Sequence, residues 1–94
     1  MKTFKEFLLD DKSIGEQSIY LPAGAEVVNV SLTDIGLMLL AIVKPAGYET
    51  ELPENRIFKI CETDEIFHAN TVKYIGSFTN TLGIRHVIEI KREF

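Results

Sequence analysis

With a single cysteine, Cys61, the chain can form no internal disulfide and cannot by itself supply the thiolates of a metal site. Long apolar runs are missing too. The longest, Leu37 to Val43, is seven residues, whereas a helix needs about 20 to span a bilayer. No transmembrane helix and no membrane partner are expected. The opening Met1-Lys2-Thr3-Phe4-Lys5-Glu6-Phe7 soon meets Asp10-Asp11-Lys12. It has neither the apolar core nor the small-residue cleavage site of a secretory signal, so a cytosolic location is the expectation. Positive charge is not in excess: ten Lys and Arg against fourteen Asp and Glu give a net charge of −4. Nonspecific attraction to nucleic acid is therefore not expected of the whole chain, which leaves room only for a local basic patch. The six glycines are scattered singly, with none of the clustering of a phosphate-cradling loop. No serine stands in a nucleophile-elbow context.

What is present reads as one domain, residues 1–94. A chain of this length buries roughly 60–65% of its extended surface, an adequate but thin core. The 46% hydrophobic and 26% charged fractions are those of a globular rather than a disordered chain. Period-2 alternation dominates. Val28, Val30 and Leu32 alternate with Asn29 and Ser31, and Phe58 and Ile60 flank Lys59. Val72, Tyr74 and Phe78 share one face, with Lys73, Ile75 and Ser77 on the other; Ile84, His86, Ile88 and Ile90 alternate with Arg85, Val87, Glu89 and Lys91. Turn signals stand between these segments at Leu21-Pro22-Ala23-Gly24, Thr33-Asp34-Ile35-Gly36, Lys44-Pro45-Ala46-Gly47 and Asn80-Thr81-Leu82-Gly83. Strands are expected near 2–9, 16–21, 26–32, 36–44, 56–62, 72–79 and 84–92. The fold expected is all-β, a small antiparallel sandwich or partly open barrel of about seven strands. Two segments leave room for a short helix. Phe4, Phe7 and Leu8 have i, i+3, i+4 spacing, and 63–71 carries Asp64 and Glu65 early and Asn70 late.

One strand differs from the rest. Leu37-Met38-Leu39-Leu40-Ala41-Ile42-Val43 is apolar on both faces, so both faces need cover. A second subunit would supply it through Leu37, Met38, Leu40 and Ile42, making the chain a homo-oligomer. The alternative is cover from the N-terminal segment or a loop.

Candidate chemistry is sparse. His68 and His86 stand on different elements, with no carboxylate or thiol at metal-ligand spacing, so no metal and no cofactor are expected. His86 falls beside Ile84 and Ile88 and reads as a packed histidine, or else as an anion contact; His68 reads as exposed. Cys61 with His86 could be imagined as a nucleophile and base. Its neighbours Glu62, Asp64 and Glu65 would raise a thiol pKa, so a small buried hydrophobe is the better reading. Glu49, Glu51 and Glu54, near Tyr48 and Pro53, read as a solvated acidic loop. Lys59, Lys73, Arg85 and Lys91 fall opposite the larger apolar residues, and as sheet neighbours they would form a basic stripe. With Tyr48 or Tyr74 nearby, and with His86, that stripe would make a site for a phosphate or nucleotide. The competing reading is cross-strand pairing on a wet face, Lys73 facing Glu89, Ile75 facing Val87 and Ser77 facing Arg85. No nucleophile and base can be paired with conviction, so no enzymatic activity is expected.

The run Ile19-Tyr20-Leu21-Pro22-Ala23-Gly24-Ala25 is followed by a strand ending in Val43-Lys44-Pro45 and by Arg56-Ile57-Phe58-Lys59-Ile60. Then come Tyr74-Ile75-Gly76-Ser77-Phe78 and a closing His86-Val87-Ile88-Glu89. This order resembles a family of short proteins of unknown function, found mainly in tailed bacteriophages and prophages. Its members read I-x-L-P-x-G-A, R-x-F-x-I, Y-I-G-T-F and H-V-F-E. The likeness runs from about Gln17 onward. Two departures stand out: Cys61-Glu62-Thr63-Asp64-Glu65-Ile66 replaces a stretch rich in glycine and histidine, and Arg85 stands where an aromatic is common. The resemblance implies a small phage accessory protein in the host bacterial cytoplasm, and implies no activity. The expected function is non-enzymatic: binding a host factor, or sequestering a small anionic ligand such as a nucleotide, as in anti-defence. The alternative is a structural or assembly module that self-associates through the apolar strand.

Overall fold

The computed structural model describes residues 1–13, 15–48, 51–69 and 71–91. It contains seven strands: β1 Thr3–Leu9, β2 Glu16–Leu21, β3 Glu26–Leu32, β4 Leu37–Val43, β5 Glu54–Glu62, β6 Thr71–Asn80 and β7 Gly83–Lys91. They form two antiparallel sheets, ordered β1-β4-β3 and β2-β5-β7-β6. The sheets pack face to face as an open sandwich, and Cα extents of 40 × 36 × 17 Å give a flat slab. The expected strand bounds hold within two residues. Among the described residues neither suggested helical turn is present.

β1 is extended because its apolar positions work at strand period. Phe7 and Leu9 face the core opposite Leu39 and Leu37, while Phe4, Glu6 and Leu8 point outward. A helix over these residues would have left β4 without a neighbour on that side. The second segment fails as a helix for a reason of reach. β5 and β6 both pair antiparallel with β7, so they run parallel to each other with β7 between them. Their connection must return the length of the sheet, since Glu62 lies opposite Arg85 and Thr71 opposite Lys91. That is about 20 Å along the strands at ~3.3 Å per residue. A helix advances only ~1.5 Å per residue and would fall short.

The core holds apolar side chains from every strand, among them Leu9, Leu21, Val27, Leu39, Phe58, Ile75 and Val87. Two edge strands close one side. β3 bulges between Val27 and Asn29, β6 bulges between Tyr74 and Gly76, and the two strands meet there. Gly76 permits this approach: a Cβ on it would sit 3.1 Å from Val30 Cγ1. At the β3–β4 hairpin Gly36 has φ +149°, a conformation side chains disfavour.

The bulge in β6 corrects the expected register. Lys73 does lie opposite Glu89, but Ser77 faces His86 and Gly76 faces Val87, one residue away from the simple hairpin pairing. It also places Phe78 in the core while Val72 and Tyr74 point outward. β7 is inverted relative to the expectation. Val87 and Glu89 face the core, and His86, Ile88 and Ile90 face out. Ile88 and Ile90 are nonetheless buried, clustered with Cys61 and Ile57, on the face where Thr63 and Glu65 of the β5–β6 connection bond His86 and Lys59.

Candidate functional site

The basic residues do not form one stripe. Lys59 points to the outer face of the four-stranded sheet, whereas Lys73 and Arg85 lie on its inner side. Each cation has a partner within the chain. Lys59 Nζ is 3.0 Å from Glu65 Oε2, Lys73 Nζ donates to the Val27 carbonyl at 3.0 Å, and Arg85 Nη2 is 3.3 Å from Glu62 Oε1. Lys91, at the last described position, is exposed on the same parity as Lys73.

His86 and Tyr74 do come together, on the outer face. The Tyr74 hydroxyl is 3.0 Å from His86 Nδ1, and the Thr63 hydroxyl is 2.8 Å from His86 Nε2. Both ring nitrogens are therefore engaged by side chains of this chain. Thr63 was not singled out from the sequence, since nothing local shows that the crossover starts over β7. Glu65 bonds Lys59, which holds it below the usual carboxylate range, with a further contribution from the Glu62 backbone. Burial, then the charge of Glu65, push the Cys61 thiol above its ordinary range. That agrees with an inert, buried cysteine rather than an activated one. His68 is exposed, as expected. Among the described residues no three His, Cys, Asp or Glu converge on a metal-sized site.

A charged pair was hidden in the sequence. Glu89 is only 3% exposed, on the core face of β7. Arg56 of β5 grips it with two bonds, Nε to Oε2 at 2.6 Å and Nη2 to Oε1 at 2.8 Å. Arg56 also donates to the Ala25 carbonyl. Lys73 thus holds a backbone carbonyl of the other sheet, at Val27 of β3, and Arg56 holds one in the connection that leads into β3. Bonding to Glu89 raises the Arg56 pKa further. Read from the strand pattern alone, Glu89 belonged to a wet face. Of the acidic loop residues, Glu49 lies outside the described residues and Glu51 is exposed. Glu54 belongs to β5 and accepts the Gly24 amide at 3.1 Å.

The outer face of the three-stranded sheet is the largest departure from an ordinary surface. Met38, Leu40 and Ile42 point outward from β4 and are half-buried; Leu37, grouped with them from the sequence, is fully buried in the core. β1 extends the apolar surface. Phe4, opposite Ile42, is 65% exposed, and Leu8, opposite Met38, is 56% exposed. No layer of described residues covers this face. Among the described residues, neither the N-terminal segment nor a loop lies over the outer side of β4. In the sequence Phe4 and Leu8 fit a helical turn with Phe7; as a strand they share the outward face with Glu6.

A family described as a domain of unknown function, DUF7352, matches residues 4–93. The chain belongs to the DUF7352 family. No curated protein and no solved structure matches it. The DUF7352 match takes in all the strands but for Thr3 at the start of β1, so the uncovered sheet face and the buried Arg56–Glu89 pair both lie within the family domain.

Proposed function

We propose that this protein is a non-enzymatic binding module whose contact surface is the outer face of the β1-β4-β3 sheet. One observation carries the reading: Phe4, Leu8, Met38, Leu40 and Ile42 form a contiguous apolar face that nothing among the described residues covers. Water-facing apolar area of this kind is a feature of contact surfaces. The motif resemblance to phage proteins supports a role as a small accessory protein in an infected bacterial cytoplasm, acting on a host factor. A virion assembly module would use the same face for self-association. Sequestration of a small anion draws less support, since Lys59, Lys73 and Arg85 each hold an intramolecular partner.

The test is affinity purification of a tagged chain from bacteria that also make an untagged copy, comparing wild type with Leu40→Lys. Leu40 is half-buried on the outer face, so the lysine stem can reach water without entering the core. Recovery of a bound protein, the untagged copy included, that depends on Leu40 supports the reading. Equal recovery by both chains, with the variant's melting temperature unchanged, overturns it.

A further inference from the structure

The uncovered face has a direction. Across β1 and β4 two rows are apolar, Phe4 with Ile42 and Leu8 with Met38; the row between them is Glu6, Leu40 and Asn29, and β3 ends the apolar rows with Glu26 and Ser31. One end carries the lysines of the face: Lys2 and Lys44 line a cleft of about 230 Å³ together with Ile42 and two acids, Glu26 and Glu51. The other end carries acids. Asp10 and Asp11 line a second cleft with Leu8 and Ile35, and Asp34 sits in the adjoining hairpin turn.

We propose that the occupant of this face is a second copy of the chain, packed sheet to sheet about a two-fold axis that passes by Leu40 at right angles to the strands. This rests on the reading of the face as a contact surface and names its partner. The axis reverses strand direction across the interface. Phe4 and Ile42 of one copy then lie over Leu8 and Met38 of the other, and Leu40 lies over its own counterpart. The Lys2 and Lys44 end of each copy meets the Asp10, Asp11 and Asp34 end of its partner, so the charge match occurs twice. An axis along the strands would set cations over cations and acids over acids, which repel. It would also lay β1 over β3, with Phe4 on Glu26 and Leu8 on Ser31, so the apolar rows and the charged ends select the same arrangement.

Size gives a second reason for the charged ends to take part. Seven residues by three strands cover about 23 × 14 Å of flat sheet at ~3.3 Å per residue and ~4.8 Å per strand. That is well under the ~800 Å² per partner of a standard interface, so the end clefts must join it. Association should accordingly weaken with salt. Glu6, opposite Leu40 on β1, is set near its own copy at the rim, and Glu6→Gln should tighten the dimer.

The test is sedimentation of the purified full chain at low and high salt, with cysteine cross-linking. Wild type should form a dimer that salt weakens, and Lys2→Glu with Lys44→Glu should weaken it about tenfold or more at low salt. Ile42→Cys mixed with Met38→Cys should give a disulfide-linked dimer under mild oxidation, while Ile42→Cys alone should not. A monomer at all concentrations overturns the proposal. So does self-linking of Ile42→Cys, or a dimer that salt strengthens. A monomer that still captures a different protein through Leu40 leaves the binding module standing and removes only the second copy. Loss of all Leu40-dependent capture removes both.

Discussion

Glu89→Gln is the sharpest perturbation that the structure offers. The substitution keeps the shape of the side chain and removes its charge, leaving the Arg56 guanidinium between the sheets beside a neutral amide. Glu89 is 3% exposed, and Arg56 spends its donors on the two Glu89 oxygens and the Ala25 carbonyl. Removing one member of a buried pair costs about 3–5 kcal/mol, because the remaining charge is stranded. A domain of this length has roughly 5–14 kcal/mol of stability in total at ~0.05–0.15 kcal/mol per residue. At ~4–8 °C per kcal/mol, the melting temperature should fall by at least about 12 °C. Thermal and urea unfolding followed by circular dichroism give the number. Replacing both residues by leucine should recover part of the loss, since the stranded charge is gone. It should not recover all, because the Ala25 carbonyl then loses its donor at about 1–3 kcal/mol. A fall of only a few degrees in Glu89→Gln would show that water reaches Arg56, and would refute the account of the pair as an inter-sheet fastening.

The meeting of the bulged edges gives a second prediction. Gly76→Ala brings a Cβ to 3.1 Å from Val30 Cγ1, and should destabilise by about 1–3 kcal/mol; adding Val30→Ala should relieve it non-additively in a double-mutant cycle. Cys61 should react with a thiol reagent at least ~100-fold more slowly in the native chain than in urea, because it is exposed only by opening. Its thiol is raised in the folded state, so the associated stability is present below the unfolded thiol's titration and lost as pH rises through the folded value. Wild type should therefore lose melting temperature more steeply than Cys61→Ala above about pH 9; parallel curves for the two chains would contradict this.

By itself the sequence determined the strands and the class of fold. Val28 to Leu32, Phe58 to Ile60 and Ile84 to Ile90 alternate at a period that only extended backbone can use. Proline, glycine and asparagine mark the turns between them with side chains that favour bending. It also exposed the odd strand, since no half-buried strand reads Leu37-Met38-Leu39-Leu40-Ala41-Ile42-Val43. What only the tertiary structure decided is which way each face points. Period-2 alternation separates two faces without saying which one is covered, and a single bulged residue shifts every later pairing. The bulge after Tyr74 thus moved Phe78 into the core, while Ile88 and Ile90 cluster with Cys61 and Ile57 on the side away from it. With those turned outward, Glu89 fell inside and required Arg56, thirty-three residues away in the chain. Lys59, Lys73 and Arg85 were likewise divided between faces by the same strand order. The uncovered sheet face needed both sources: the sequence showed that β4 is apolar on two sides, and the arrangement of the other strands left one of those sides open.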